Sequence, residues 1–197
     1  MKSDRRAPVV IVGAGFSGTI VAAELARLGI ASILVESGPR EGRGTAYSTE
    51  EPAHLLNVRA DGMSAWADDP DHFAKAFEAA GGDRGGFAQR RFFGGYVRGI
   101  LSEAEDSGRV KLVRGGVVSA RPSRNGWSVT LADGETIEAE ALLLAIGNQA
   151  PEPLPFAKGA HFINNPWRDL AKAAVAEVAE SGGDVLLIGT GLTMIDL

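Results

Sequence analysis

The chain has 197 residues, no cysteine, and 20 Lys and Arg against 25 Asp and Glu, for a net charge of −5 at pH 7. This composition excludes disulfides, thiolate metal sites and a dithiol redox couple, so any redox chemistry needs a bound cofactor. The negative net charge disfavours nucleic acid and anionic membranes as partners. No apolar run approaches the ~20 residues of a membrane helix, so we expect a cytoplasmic protein.

The first predicted elements form a β-α-β unit. Val9–Val12 is a continuous apolar run, mostly β-branched, which is typical of a strand buried on both faces. Residues 16–28 place apolar side chains at helical spacings and end at Gly29, a helix-stop residue. Residues 31–35 predict a second strand, and the pattern as a whole indicates a parallel sheet.

The turn between the first strand and the helix has the sequence G-x-G-x-x-G. Glycines in this pattern allow a tight turn, a close approach of the backbone to a pyrophosphate, and packing of the helix on the strand. The helix start would present free N–H groups and a partial positive charge to the phosphates. The residues that we expect to hold them are Gly13, Gly15, Phe16, Ser17 and Gly18.

An acidic residue completes this nucleotide-binding pattern. Glu36 ends the second predicted strand, 18 residues after Gly18. A carboxylate at this distance accepts hydrogen bonds from ribose hydroxyls and would repel a 2′-phosphate. The unit therefore predicts a dinucleotide site, for which NAD and FAD are equally suitable on this evidence.

The next segment, residues 37–69, contains no clear helix by sequence. A loop of this length in a compact domain is usually functional, and a simple NAD-binding half-domain would pass directly into its next helix. Within it, residues 42–47 read GRGTAY and residues 54–58 read HLLNV.

These motifs carry a resemblance. The chain resembles the N-terminal part of the flavoproteins that have an FAD domain followed by a nested NAD(P) domain. Within that superfamily it is most similar to bacterial FAD/NAD(P)-binding proteins with the patterns G-x-G-x-A-Y and H-L-L-N-V. The resemblance implies FAD as cofactor. It also implies roles near the flavin ring for Thr45, Tyr47, His54 and Asn57. Arg43 is a further candidate, which could contact a phosphate or the substrate.

The following elements continue the same order. The pattern predicts helices over residues 71–80 and 96–105 and a strand at 110–113. Three short antiparallel strands should follow, joined by hairpin turns at Asn125-Gly126 and Asp133-Gly134. Their ranges are 117–120, 127–131 and 136–138, and a last strand covers 141–148.

The predicted fold class is α/β: a Rossmann-like parallel sheet with flanking helices and a small antiparallel β-meander. In the resembled flavoproteins the last strand ends in Ala-Thr-Gly, where this chain has Ala145-Ile146-Gly147. The resemblance implies that the backbone at Ala145 and Gly147 approaches the cofactor, and that the backbone of Val117 or Val118 meets the adenine ring.

The C-terminal part predicts a helix over residues 168–180 and a buried strand at 184–188. A second glycine motif follows, with Gly189, Gly191 and Thr193 as candidate nucleotide ligands. It departs from the fingerprint because Met194 occupies the third glycine position.

We therefore expect a segment of a longer protein. Residues 1–165 would form an FAD-binding domain without its C-terminal return, and 166–197 would form a connection and the first strand of an NAD(P)-binding domain.

The interpretation that we favour is the FAD-binding part of an NAD(P)H-dependent flavoprotein oxidoreductase, with chemistry that could be monooxygenase-like. A single-domain NAD-dependent dehydrogenase and a non-enzymatic flavin- or nucleotide-binding sensor are the alternatives. No acid, base or metal cluster is forced by the sequence, and neither the small-molecule substrate nor the oligomeric state can be read from it. We expect these residues alone not to oxidise NAD(P)H faster than free flavin does, because a nicotinamide site needs the second domain.

Overall fold

The structure is a computed structural model that describes residues 7–156, 159, 161–167 and 169–189. The chain divides into two compact units, Met1–Gly147 and Asn148–Leu197. The predicted boundary after residue 165, and the assignment of one cofactor to each domain, stay predictions.

A four-stranded parallel sheet forms the centre of the first unit. Its strands are β1 (Val9–Val12), β2 (Ser32–Glu36), β3 (Val110–Arg114) and β7 (Ala141–Leu144), in the order β3-β2-β1-β7. Because β1 pairs with both β2 and β7, its apolar residues are covered on both edges and the middle of the strand is fully buried. The predicted fold class is confirmed.

Helices cover one face of this sheet. Helix α1 (Phe16–Arg27) connects β1 to β2, and helix α4 (Arg90–Asp106) precedes β3. Small and branched side chains of both helices pack on Ile11 and Leu34 of the sheet. A second apolar cluster joins helix α3 (His72–Ala79) to α4, with fully buried phenylalanine rings at its centre.

The other face of the sheet is covered by the predicted meander. Its strands are β4 (Val117–Ser123), β5 (Gly126–Leu131) and β6 (Thr136–Ala139), paired antiparallel in that order. The first hairpin turn differs by one residue from the prediction: Ser123 pairs with Gly126, so the turn consists of residues 124–125. Gly126 lies inside the strand, where a Cβ atom would come within 2.0 Å of the Ala139 carbonyl oxygen.

Two helix predictions are corrected. Helix α4 begins at Arg90 rather than near Tyr96, and it includes Gly94 and Gly95 as helical residues. A Cβ atom on Gly94 would lie 2.3 Å from the carbonyl oxygen of Tyr47, so the glycine allows a close approach to the preceding loop. That loop, predicted to lack a helix, contains the single turn α2 (Gly44–Tyr47) and a 3-10 turn at Ala60–Gly62.

The second unit contains helix α5 (Asp169–Ser181), close to its predicted range. The strand predicted at 184–188 does not form: this segment has no strand assignment. Its apolar side chains from Val185 to Ile188 are 42–84% exposed. A strand needs at least one hydrogen-bonded neighbouring strand, and no described residue pairs with this segment. None of the helices in the described ranges is both long and apolar enough to cross a bilayer.

Candidate functional site

The start of helix α1 presents backbone donors without an acceptor from the helix. Gly15 is the N-cap residue, and no side chain in the described ranges caps it. The first intrahelical hydrogen bond at this end runs from the Thr19 N–H to the Gly15 carbonyl at 3.0 Å. The amides of Phe16, Ser17 and Gly18 therefore precede the hydrogen-bonded part of the helix, where an anion is favoured by the amides and by the helix dipole.

We call this turn, residues 13–18, the phosphate loop. Its three glycines differ in whether the fold leaves room for a side chain at their positions. Gly13 has φ +98°, and a Cβ atom on it would lie 2.3 Å from the Ala145 carbonyl oxygen. A Cβ atom on Gly18 would lie 1.9 Å from the Gly13 carbonyl oxygen. These two glycines are required by the fold itself, because no side chain fits at either position.

Gly15 is different, since its own backbone is extended, with φ −71° and ψ −167°. A Cβ atom there would only touch Gly44 Cα, at 3.4 Å. The fold thus leaves room for a Cβ atom at Gly15 in ordinary contact with Gly44, whereas a phosphate bound at the helix start would not. The fit to a dinucleotide pyrophosphate follows from this backbone shape together with the uncapped amides.

Glu36 lies beside the phosphate loop at the end of β2. Its two carboxylate oxygens accept hydrogen bonds from the backbone amides of Ala14 and Gly38, both at 2.8 Å. Each carboxylate oxygen has a second lone pair, so the group can accept ribose hydroxyls as well. The two amide bonds hold the carboxylate in one orientation, at the position that the sequence pattern predicts for a ribose-binding acid.

The segment after β2 packs against the phosphate loop. The Gly42 N–H donates to the Ala14 carbonyl at 2.7 Å, and helix α2 begins two residues later. Tyr47 ends α2, and its ring contacts those of Phe16 and Phe93, with centroids 5.9 and 4.8 Å away. Burial raises the pKa of the Tyr47 phenol above its ordinary value, and the nearby charge of Arg90 opposes this shift. Tyr47 thus packs on the first residue of α1.

The other residues predicted near the flavin or phosphates are less enclosed. Thr45 and Asn57 are exposed. Arg43 forms an exposed ion pair with Glu50 at 3.4 Å. His54 is half-buried, and its Nδ1 shares a 2.7 Å hydrogen bond with the Thr49 hydroxyl. Their contacts with a cofactor stay predictions.

At the end of β7, the backbone of Ala145 meets the phosphate loop. The Ala145 N–H donates to the Val12 carbonyl at 2.8 Å, and its own carbonyl lies against Gly13. Gly147 follows with φ +69°, and Val118 on β4 is 66% exposed. These positions agree with a cofactor lying across the carboxyl ends of the strands, which stays a prediction for each residue.

Of the second glycine motif, Gly189 is described and has φ +131°, whereas Gly191 and Thr193 lie outside the described residues. Within the described ranges, no group of three or more His, Asp or Glu side chains could hold a metal ion.

Sequence reasoning missed two residues that support the phosphate loop and the segment after β2. Thr19 is fully buried, and its hydroxyl donates to the Ala14 carbonyl at 3.3 Å. This hydrogen bond connects the first turn of helix α1 to the backbone of the phosphate loop. Arg114, at the end of β3, donates to the Gly38 carbonyl at 2.6 Å. A hydroxyl in the first helical turn could have signalled Thr19, but nothing local in the sequence indicates the Arg114 contact.

The comparisons with known proteins agree with this geometry. Residues 10–149 match the model of a family described as FAD-NAD(P)-binding. No curated protein matches the chain.

Among solved structures, the fold is similar to that of OTEMO in complex with FAD and NADP, with 22% identity, a TM-score of 0.56, and coverage of 78% of this chain and 28% of that one. Cyclohexanone monooxygenase is 20% identical, with a TM-score of 0.57 and coverage of 77% and 28%. A steroid monooxygenase bound to NADP is also 20% identical, with a TM-score of 0.57 and coverage of 76% and 28%. The chain thus spans little more than a quarter of the length of these three enzymes, and the likeness shows a shared fold.

Proposed function

Since the chain belongs to the FAD-NAD(P)-binding family, we propose that it forms the FAD-binding part of an NAD(P)H-dependent flavoprotein oxidoreductase with monooxygenase-like chemistry. The single observation that carries this proposal is the phosphate loop, where three backbone amides precede the helical hydrogen bonds of α1 beside a carboxylate with fixed orientation. A nucleotide with a pyrophosphate and a free ribose satisfies both groups at once.

The residues divide between the parts of FAD. The amides of Phe16, Ser17 and Gly18 would bind the pyrophosphate, and Glu36 would accept from the adenosine ribose. The flavin ring would lie toward the segment of Thr45, Tyr47, His54 and Asn57. When bound, the flavin supplies the hydride and electron transfer, while this chain binds and orients it.

The similar structures support the choice of reaction class. OTEMO was solved with FAD and NADP, and the steroid monooxygenase with NADP. A nicotinamide cofactor as reductant and a small molecule as substrate are therefore part of the proposal. A chain without cysteine and with an acidic net charge fits a cytoplasmic location, away from nucleic acid and membranes.

The experiment is a binding titration of the purified chain with FAD, FMN and NAD⁺, followed by flavin fluorescence and calorimetry. We expect FAD to bind more tightly than FMN, because FMN lacks the adenosine ribose and the second phosphate that Glu36 and the phosphate loop recognise. NAD⁺ binding more tightly than FAD would favour the single-domain dehydrogenase and contradict the proposal. Absence of binding by all three ligands would also contradict it.

A kinetic control addresses where the nicotinamide binds. We expect the FAD-loaded chain to oxidise NADH or NADPH no faster than free FAD at the same concentration. Productive transfer needs the nicotinamide held against the flavin, an effect worth on the order of 7–11 kcal/mol. A rate many-fold above the free flavin would place a complete nicotinamide site within these residues.

A further inference from the structure

We propose that Arg114 and Glu41 position the segment of residues 38–44, called here the covering segment, over the phosphate loop, and that FAD binding depends on this ion pair. The inference rests on the proposed function, because the positioned groups are those expected to hold the FAD ribose and pyrophosphate. Neither residue belongs to the glycine fingerprint.

Arg114 lies next to the ribose acid. In the parallel pairing of β2 and β3, it stands opposite Glu36. Its guanidinium donates to the Gly38 carbonyl at 2.6 Å, and the Gly38 N–H donates to the Glu36 carboxylate at 2.8 Å. The Gly38 residue is therefore held through its carbonyl by Arg114 and through its amide by Glu36. Moving the guanidinium would release one of the two amides that orient the ribose-binding carboxylate.

The second contact of Arg114 reaches further along the covering segment. Its guanidinium forms an ion pair with the Glu41 carboxylate, and the Glu41 side chain is only 10% exposed, compared with 57% for Arg114. A carboxylate so little exposed needs a charged or hydrogen-bonding partner, since desolvation without one is costly. Arg114 is that partner, so its removal disturbs Glu41 more than an exposed ion pair would suggest.

Glu41 is adjacent to the residues that contact the phosphate loop. The Gly42 N–H donates to the Ala14 carbonyl at 2.7 Å, and a Cβ atom on Gly42 would lie 2.8 Å from Arg98 Cα. Two residues later, a Cβ atom on Gly44 would lie 3.2 Å from Gly15 Cα. The C-terminal part of the covering segment thus lies between the phosphate loop and helix α4. Arg114 binds the N-terminal end of the segment at Gly38.

This arrangement pre-organises the site. A covering segment that is already in place costs no ordering entropy when the dinucleotide binds, and it slows dissociation of a ligand that lies beneath it. Arg114 is thus a positioning residue, which acts through Gly38, Glu36 and Glu41. Its loss should mainly raise the dissociation rate of ligands that contain the ADP half of FAD.

The test compares Arg114→Met with Arg109→Met. Arg109 is a matched control that directly precedes the start of β3, and its guanidinium donates to the Gly29 carbonyl at 2.9 Å. We expect Arg114→Met to weaken binding of both FAD and ADP by about 3- to 20-fold through a faster dissociation rate, which is less than the loss of a charged hydrogen bond to the ligand itself because Arg114 acts through other residues. We expect no change for Arg109→Met. Equal dissociation rates in Arg114→Met and wild type would overturn the inference.

A second measurement needs no cofactor and so separates this inference from the proposed function. Amide hydrogen exchange of Gly38 and Gly42 in the ligand-free chain should be faster in Arg114→Met and unchanged in Arg109→Met. If wild type bound no FAD but this acceleration was seen, the proposed function would be wrong while the role of the ion pair in holding the segment stood. Unchanged exchange in Arg114→Met would overturn that role.

A double-mutant cycle completes the test. Glu41→Gln keeps the shape of the side chain and removes its charge, so we expect it to accelerate dissociation less than Arg114→Met does. The combined variant should show less than the sum of the two effects in free energy, because both substitutions break one ion pair. Additive effects would show that the two residues act independently and would contradict the proposed pair.

Discussion

The two ends of helix α1 differ in how their polar groups are satisfied. At the first residue, Phe16, backbone amides have no acceptor within the helix and no described side chain caps them. At the last residue, Arg27, charged side chains surround a cavity of about 430 Å³ between α1, α4 and the loop at Trp66. The helix has 12 residues, so these regions are roughly 18 Å apart at 1.5 Å per residue.

Several charged side chains around the cavity form ion pairs. Arg27 forms ion pairs with Asp68 and Glu24, and its guanidinium lies 4.6 Å from the Trp66 ring centroid. The hydrogen bond from Arg27 lowers the pKa of Asp68, and the one from Lys75 lowers the pKa of Asp69. The cavity thus lies at one end of α1, whereas the backbone amides without an acceptor lie at the other end. The comparison teaches that a dinucleotide site is recognised by its backbone donors.

The largest expected effect is that of Gly15→Val, which places a branched side chain where a phosphate should approach the amides of α1. We expect FAD affinity to fall by about 100-fold or more, with helix content retained, because the Gly15 backbone conformation suits any residue. Fluorescence titration and far-UV circular dichroism measure the two quantities. The matched control is Gly99→Val, since a Cβ atom on Gly99 would meet nothing within 4 Å. Stoichiometric FAD binding by Gly15→Val would break the comparison.

The next effect concerns the ribose acid. Glu36→Gln keeps one acceptor for the backbone amides and removes the charge, so it should weaken FAD binding by about 10- to 150-fold, the equivalent of 1.5–3 kcal/mol. Glu36→Ala should also destabilise the fold, because the amides of Ala14 and Gly38 lose their acceptor. An unchanged FAD dissociation constant in folded Glu36→Gln would remove this residue from the site. Asp68→Asn, at the other end of α1, is the control and should leave FAD binding unchanged.

A smaller effect is expected at the cavity. Arg27→Met removes both ion pairs and the contact with Trp66, all of them at the surface. Exposed pairs contribute little, so FAD affinity should stay within about twofold of wild type and the melting temperature should change only slightly. A large loss of FAD affinity in this variant would show that the two ends of α1 are coupled, contrary to the comparison.

The smallest effect uses the only two tyrosines of the chain. Burial raises the pKa of both Tyr47 and Tyr96, the latter near the cavity with its hydroxyl 2.7 Å from His72 Nδ1. The folded state holds the phenol protons more tightly than the unfolded state, so the free energy of unfolding should fall as pH rises above the ordinary value of about 10.

Alkaline titration of phenolate absorbance, with Tyr47→Phe to isolate Tyr96, measures this effect. FAD should shift only the Tyr47 titration, because that ring packs on Phe16 at the phosphate loop. A shift of Tyr96 on adding FAD would contradict the separation of the two regions.

Local patterns were sufficient to predict the β-α-β unit, the parallel sheet, the meander and the phosphate loop. In β1, the apolar run and the glycines agree with the strand pairing that forms on both sides. The same type of run at 184–188 forms no strand, because burial requires neighbouring strands that a local pattern does not report.

Other features depend on contacts between distant residues. The prediction placed the start of α4 near Tyr96, whereas the helix includes Gly94, where the backbone of Tyr47 approaches it closely. The pairing of Arg114 with Glu41 joins residues far apart in sequence, and no spacing rule predicts it. The sequence thus predicts candidate nucleotide-binding residues, but not the ion pair between Arg114 and Glu41.

The most direct test of the central claim is to map ADP binding on the backbone amides by NMR. We predict that ADP shifts the resonances of Ala14, Gly38 and the first three amides of α1, because these lie at the phosphate loop and around Glu36. The amides of Ala23 and Ala104, which line the cavity, should not shift. Shifts confined to the cavity, with none at the phosphate loop, would contradict the account.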